Sequence, residues 1–265
     1  MKKSRVLAAL LVAVLAIASL TGCGKKSADE FVVGFDAEFP PYGYMNDDGE
    51  YVGFDLSLAE EACNRLGMTL VKKPIDWDSK DALIDSGEID CIWNGFTING
   101  REDAYTWTVP YINNSQVFVV AADSGITCQA DLAGKIVGVQ KASAALDALT
   151  GEDYTDLYNS LSNVKEYESY VMAFEDLAAD GIDALAIDIG VAQVQIANRG
   201  EENFVILDEY LSAEQYGVGF KLGNTELRDK IENVLFEMYN DGTVAKIAEE
   251  YGIDTDAICL GDYVK

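Results

Sequence analysis

The stretch Leu83-Ile-Asp-Ser-Gly87-Glu-Ile89-Asp90-Cys-Ile-Trp-Asn94-Gly-Phe-Thr97-Ile-Asn-Gly-Arg101 reads as a helix end, a glycine stop, a short apolar strand and a polar loop closed by an arginine. Later in the chain Leu177-Ala-Ala-Asp-Gly181-Ile182-Asp183 leads into apolar residues 184–187 and then Asp188, so the same unit occurs twice. A glycine after a helix is a common stop and a single match carries little. Two copies, each delivering polar residues at the carboxyl end of its strand, point to two lobes of similar α/β build, because open α/β sheets bind ligands at that end. In the first copy the loop residues Asn94, Gly95 and Thr97 offer backbone and hydroxyl groups, and Arg101 offers a planar two-pronged donor suited to a carboxylate. The plain alternative is a buried strand followed by an ordinary loop.

Outside these units short apolar strands alternate with helical patterns, which predicts an α/β body with a largely parallel sheet. Residues 31–35 form the first strand. Asp55 is expected to cap a helix that carries Leu58, Ala62 and Leu66 on one face and stops at Gly67. Residues 69–75 read as a strand and 78–86 as a helix. Ser143 and Ala144 open a helix after Gln140, with Ser143 as its cap, a position whose amides also suit an anion. Asp188 precedes a helix over 189–197, where it is either a cap or a ligand for a cation. The apolar runs 116–122 and 216–222 are either core strands or the two strands by which the chain leaves one lobe and returns. Residues 224–251 form two amphipathic helices split at Asp241-Gly242.

Residues 1–22 begin with Lys2, Lys3 and Arg5, continue through an uncharged run and end at Leu20-Thr21-Gly22 before Cys23. The run is shorter than the roughly 20 apolar residues that cross a bilayer, so it reads as an export signal. Leu-Thr-Gly-Cys resembles a lipobox, which makes Cys23 the lipidated N-terminus and 23–30 a polar tether to a body on the outer face of the cell membrane. The net charge of −27 becomes −30 once Lys2, Lys3 and Arg5 are removed, which speaks against nucleic acid as a partner. The chain has no histidine, so Ser-His and Cys-His nucleophiles and histidine-ligated metals are excluded. Cys63 and Cys91 read as buried apolar residues, whereas Cys128 and Cys259 fit either a disulfide or two free thiols.

The segments Val33-Gly-Phe-Asp36-Ala-Glu-Phe39-Pro-Pro-Tyr42, Gly53-Phe-Asp55-Leu, residues 89–101, Val109-Pro-Tyr111, Gly134-Lys-Ile-Val-Gly-Val-Gln140, Ile182-Asp183 with Asp188, and Gly217-Val-Gly-Phe220 together resemble one family. It is that of the extracytoplasmic solute-binding proteins (family 3) of polar-amino-acid ABC importers. The resemblance implies a type II periplasmic-binding-protein-like fold, two α/β lobes joined by two hinge strands. Lobe one would comprise 31–112 plus 213–265, and lobe two 113–212. It also implies a monomer that delivers a free L-amino acid, polar or basic, to a permease and its ATPase, with no cofactor, metal or catalytic residue.

Carried over residue by residue, the resemblance assigns the ligand carboxylate to Arg101, the amides of Thr97 and Ala144 and the Ser143 hydroxyl. Asp188, the Gly95 carbonyl and the Thr97 hydroxyl take the ammonium; Phe39 and Trp77 sandwich the side chain, and Asp36, near Glu38, faces its far end. Asn94, Phe96 and Gln140 belong to the same shell. The chain departs from the family in one place: the turn from Thr97 to Arg101 is one residue short, with Gly100 available to tighten it. Two alternatives share the fold, a sensory amino-acid receptor and a dehydratase-like enzyme with Glu38 as its acid.

Overall fold

In a computed structural model that describes residues 29–264, the first buried strand is β1 (Glu30–Phe35), whose Phe31, Val33 and Phe35 are inaccessible to solvent. The export signal, Cys23 and tether residues 23–28 lie outside the described residues. A small antiparallel sheet follows, made of β2 (Glu38–Phe39), β3 (Gly43–Met45) and β4 (Tyr51–Val52). It leads into α1 (Phe54–Leu66), which stops at Gly67 in the left-handed conformation. Asp55 does not cap this helix. The cap position is Gly53, while Asp55 is fully buried and accepts the Gly95 amide at 2.5 Å and the Tyr111 hydroxyl at 2.8 Å. A carboxylate in the first turn is still favoured by the helix dipole, which is why it reads like a cap in sequence.

Next come β5 (Thr69–Pro74), α2 (Lys80–Ser86) stopped by Gly87, β6 (Cys91–Ile92) and β7 (Thr106–Trp107). The strand β8 (Ile112–Ala121) is followed by β9 (Ile136–Gln140), α3 (Ala144–Leu149), α4 (Thr155–Ser160), β10 (Asn163–Tyr167) and α5 (Tyr170–Ala178). Then come β11 (Ala184–Asp188), α6 (Ile189–Arg199), β12 (Phe204–Ile206), β13 (Ser212–Tyr216) and β14 (Gly219–Phe220). The chain closes with α7 (Thr225–Asn240) and α8 (Thr243–Glu250), which pack on α1. Both echoed units are present, α2 into β6 and α5 into β11. In the second copy the left-handed turn is made by Asp180, φ 58°, an acid whose short side chain tolerates that conformation.

Two sheets carry the body. The first has the order β5-β1-β6-β14-β7 and the second β10-β9-β11-β8-β12, with β13 also pairing β8. The sheets are mixed instead of largely parallel. β1 and β6 are parallel, as are β10, β9 and β11, but every pairing made by β8 and β14 is antiparallel. The reason is the crossing: β8 and β13 run antiparallel over Ile112–Gln116 and Ser212–Tyr216, so strands entering from the crossing oppose the βαβ strands.

The crossing segments are also displaced from the apolar runs 116–122 and 216–222. Polar residues 113–115 are strand, and the partners of Asn113 and Asn114 on β13 are polar as well: Gln215 Nε2 donates to Asn113 Oδ1 at 2.9 Å and Asn114 Nδ2 to Glu214 Oε1 at 2.7 Å. One continuous core extends from Phe31, Phe54 and Leu235 beside the first sheet to Val119, Phe174 and Ile187 at the second. Cys63 and Cys91 are buried as expected, and Cys128 and Cys259 are not joined in a disulfide, so both are thiols.

Candidate functional site

After β6 the chain turns across the end of the first sheet through Asn94 to Thr97. Gly95 has φ +57°, and a Cβ there would lie 2.9 Å from Phe39 Cε1 and 3.1 Å from Tyr216 Cε2. Only glycine passes between these two rings. The next turn resolves the shortened Thr97-to-Arg101 segment: Arg101 N–H donates to the Ile98 carbonyl at 2.8 Å and Gly100 takes φ +80°. Ile98 N–H also donates to the Gln215 carbonyl at 2.9 Å, which ties the loop to β13.

The Arg101 guanidinium lies 5.5 Å above the Phe96 ring and donates from Nη2 to Asp147 Oδ2 at 2.6 Å. Its Nε makes no hydrogen bond among the described residues, so part of the fork is free to take a carboxylate. Phe96 is fully buried against Trp77, Tyr105 and Trp107 and supports Arg101 from below without lining the cleft.

From the second sheet come Gln140, Ser143, Ala144 and Asp188. Ser143 caps α3, its hydroxyl accepting Leu146 N–H at 3.1 Å. Asp188 occupies the cap position of α6, but its side chain makes no capping hydrogen bond. Its Oδ1 instead accepts Gln116 Nε2 at 2.8 Å, Asn114 Nδ2 at 3.0 Å and the Tyr216 hydroxyl.

These four residues and Phe39, Trp77, Gly95, Thr97 and Arg101 line one narrow cleft. Three other expected members do not line it. Asp36 is buried one step behind, accepting Gln140 Nε2 at 2.6 Å, and borders an adjoining cleft with Glu38, Asp76, Trp77 and Glu168. Asn94 is buried with neither amide atom of its side chain hydrogen-bonded, and Phe96 lies in the aromatic floor.

Sequence reading missed Asp55, Asn114, Gln116, Glu214, Asp147 and Lys80. Asn114 and Gln116, like Glu214 and Tyr216, are spaced by two, which puts each pair on one face of its strand; that spacing was the available signal. Lys80 is buried, donates to the Ala142 carbonyl at 3.2 Å, and has its pKa lowered by burial and by Arg101 nearby.

Burial pushes the carboxyl of Asp36 up to about 6 and that of Asp55 to about 7, and raises Asp188 and Glu214 as well. Each group holds its proton more tightly folded than unfolded. The resulting stabilisation is complete below the ordinary carboxylate range near pH 4 and is lost as pH rises through 6 and 7. Calorimetric melting of the ligand-free protein is therefore expected to give a higher Tm at pH 5 than at pH 8. A Tm that rises over that interval would show these carboxyls to be ionised at no cost.

Gly95→Ala tests the close approach at the cleft. Strain at positive φ and overpacking against Phe39 and Tyr216 each cost roughly 1–3 kcal/mol. Denaturant melts should show the loss; unchanged stability would mean that the rings are free to move apart.

The profile of the bacterial extracellular solute-binding proteins, family 3, matches residues 31–254. Among curated proteins the chain is 29% identical to the L-cystine-binding protein TcyJ of Escherichia coli (strain K12), over 91% of this chain and 94% of that one. It is 30% identical to the histidine-binding periplasmic protein of Salmonella typhimurium, over 92% and 96%. Among solved structures, the substrate-binding protein of an ABC uptake transporter from Streptococcus pneumoniae with bound histidine superposes with a TM-score of 0.81 at 32% identity, covering 84% of this chain and 92% of that one. An ancestral arginine-binding protein bound to arginine gives a TM-score of 0.78 at 34% identity, covering 85% and 99%. The type II periplasmic-binding fold expected from the resemblance is the one these neighbours share. With the profile spanning nearly all of the described residues, the chain belongs to the bacterial extracellular solute-binding proteins, family 3.

Proposed function

We propose that this chain is the substrate-binding lipoprotein of an ABC importer, which captures a free L-amino acid between its lobes and delivers it to a permease powered by a partner ATPase. The observation that carries the reading is that Arg101 follows a strand of the first sheet, Asp188 ends a strand of the second, and both line one cleft. A carboxylate on Arg101, the Thr97 and Ala144 amides and the Ser143 hydroxyl, with an ammonium on Asp188, needs groups from both lobes. Binding therefore favours the closed form. The lobes divide at 112/113 and 212/213, a boundary supported by the β8–β13 pairing that ends at Ile112 and Tyr216.

A polar or basic side chain is the preferred cargo. It would pass between Phe39 and Trp77 toward the acidic neighbourhood of Asp36, Glu38, Asp76 and Glu168, of which, among the described residues, only Glu168 has a lysine partner, Lys141. Relatives named for cystine, histidine and arginine span the same range of side chains. The protein acts as a monomeric receptor without cofactor or catalysis, held to the outer face of the membrane through Cys23.

A thermal-shift panel of the common L-amino acids and cystine on refolded, ligand-stripped protein tests this. A ligand at a hundred times its Kd adds about 2.7 kcal/mol of stability, equivalent to a shift of roughly 5–10 °C for a chain of this size. A panel in which no amino acid moves the melting point contradicts the proposal.

A further inference from the structure

Behind the cleft, Asp188 and Glu214 share two donors. Asn114 Nδ2 lies 3.0 Å from Asp188 Oδ1 and 2.7 Å from Glu214 Oε1, and Gln116 Nε2 lies 2.8 Å from each of the same oxygens. Both acids are at most 5% exposed. Among the described residues neither forms an ion pair with a lysine or arginine. Two buried carboxylates bridged only by neutral amides are costly when both are ionised, and a shared proton is the usual relief.

We infer that Asp188 and Glu214 act as one proton-sharing carboxylate pair, which holds a proton in the ligand-free protein and releases it when the ligand's ammonium takes its place. The inference rests on the amino-acid-binding reading above and adds Glu214, which does not line the cleft, as a positioning residue that sets the charge of Asp188. The exchange balances: the pair goes from one negative charge to two, the ammonium keeps its three protons, and the displaced proton leaves to solvent.

The groups facing the pair do not supply an alternative counter-charge. β8 contributes neutral Asn114 and Gln116; Thr97 is hydrogen-bonded to Glu214; and β13 contributes the Tyr216 hydroxyl, which donates to Asp188. The hydroxyls of Tyr42 and Tyr170 and the carboxyl of Asp55 complete the surroundings, and the tyrosines are pushed up by burial and by the acids, so they remain neutral. The cation of the cleft, Arg101, is paired to Asp147. Burial is the largest influence on both acids and raises both, in keeping with a retained proton.

Two measurements test the pair. Calorimetric titration of L-arginine at pH 7 in buffers of contrasting ionisation enthalpy should show up to one proton released per arginine bound, with affinity rising up to tenfold per pH unit between pH 5 and 7. Glu214→Gln should bind arginine with proton release close to zero. Independently of any ligand, the protonated-carboxyl carbonyl band in the infrared spectrum of the ligand-free protein at pH 7, to which Asp55 also contributes, should be weaker in Glu214→Gln. No wild-type release, equal release in the variant, or an unchanged band would overturn the pair. Arginine that fails to bind, with the band difference present, would count against the basic-ligand reading and leave the pair standing.

Discussion

Arg101→Ala is expected to weaken amino-acid binding by about a hundredfold or more while leaving the ligand-free protein folded. The side chain is 14% exposed, stacked on Phe96, and among the described residues the only basic group lining the cleft. Truncating one member of a desolvated, hydrogen-bonded charge pair costs roughly 2–5 kcal/mol, and each 1.4 kcal/mol is a factor of about ten in Kd. The fold depends little on the guanidinium, because its ion pair is with Asp147, which is 65% exposed, and such pairs contribute little to stability. Arg101→Lys should recover part of the loss, since an ammonium supplies the charge without the two-pronged geometry. Calorimetry on both variants decides it; unchanged affinity in the alanine variant would remove Arg101 from the site.

Asp188→Asn should lose binding by a similar factor and, in the absence of ligand, melt at the same temperature as the parent or higher. The two effects have one cause. Asp188 is buried, with its pKa raised by burial, so the neutral amide removes the cost of keeping a second titrating carboxyl beside Glu214, while the Asn oxygen can still accept from Asn114 and Gln116. The new amide then faces the position proposed for the ligand ammonium, where a donor meets a donor. A variant that binds as tightly as the parent would place the ammonium elsewhere; one that is strongly destabilised would mean that Asp188 is ionised and paired in the free protein.

Much of this was legible before any coordinates. The echoed helix-glycine-strand units, the stops at Gly67 and Gly87 and the serine cap at Ser143 depend on neighbours a few residues away, and local chemistry determines them. What escaped depends on partners far along the chain. The apolar run begins only at 116, and residues 113 and 114 extend the strand because Gln215 and Glu214 lie opposite them. Asp55 looks like a cap until Gly95 and Tyr111 donate to it across 40 and 56 residues. The resemblance puts Phe96 in the ligand shell, whereas the turn points its side chain into the ring cluster of Trp77, Tyr105 and Trp107. Asp36 sits behind Gln140, whose amide donates to it across 104 residues of sequence.

The clamp itself is tested most directly by a crystal structure of the ligand-stripped protein saturated with L-arginine. Its carboxylate should lie within hydrogen-bonding distance of the Arg101 guanidinium and the Ser143 hydroxyl, and its α-ammonium on Asp188, with the guanidinium end between Phe39 and Trp77 near Asp36. Arginine bound to neither Arg101 nor Asp188 would contradict the clamp.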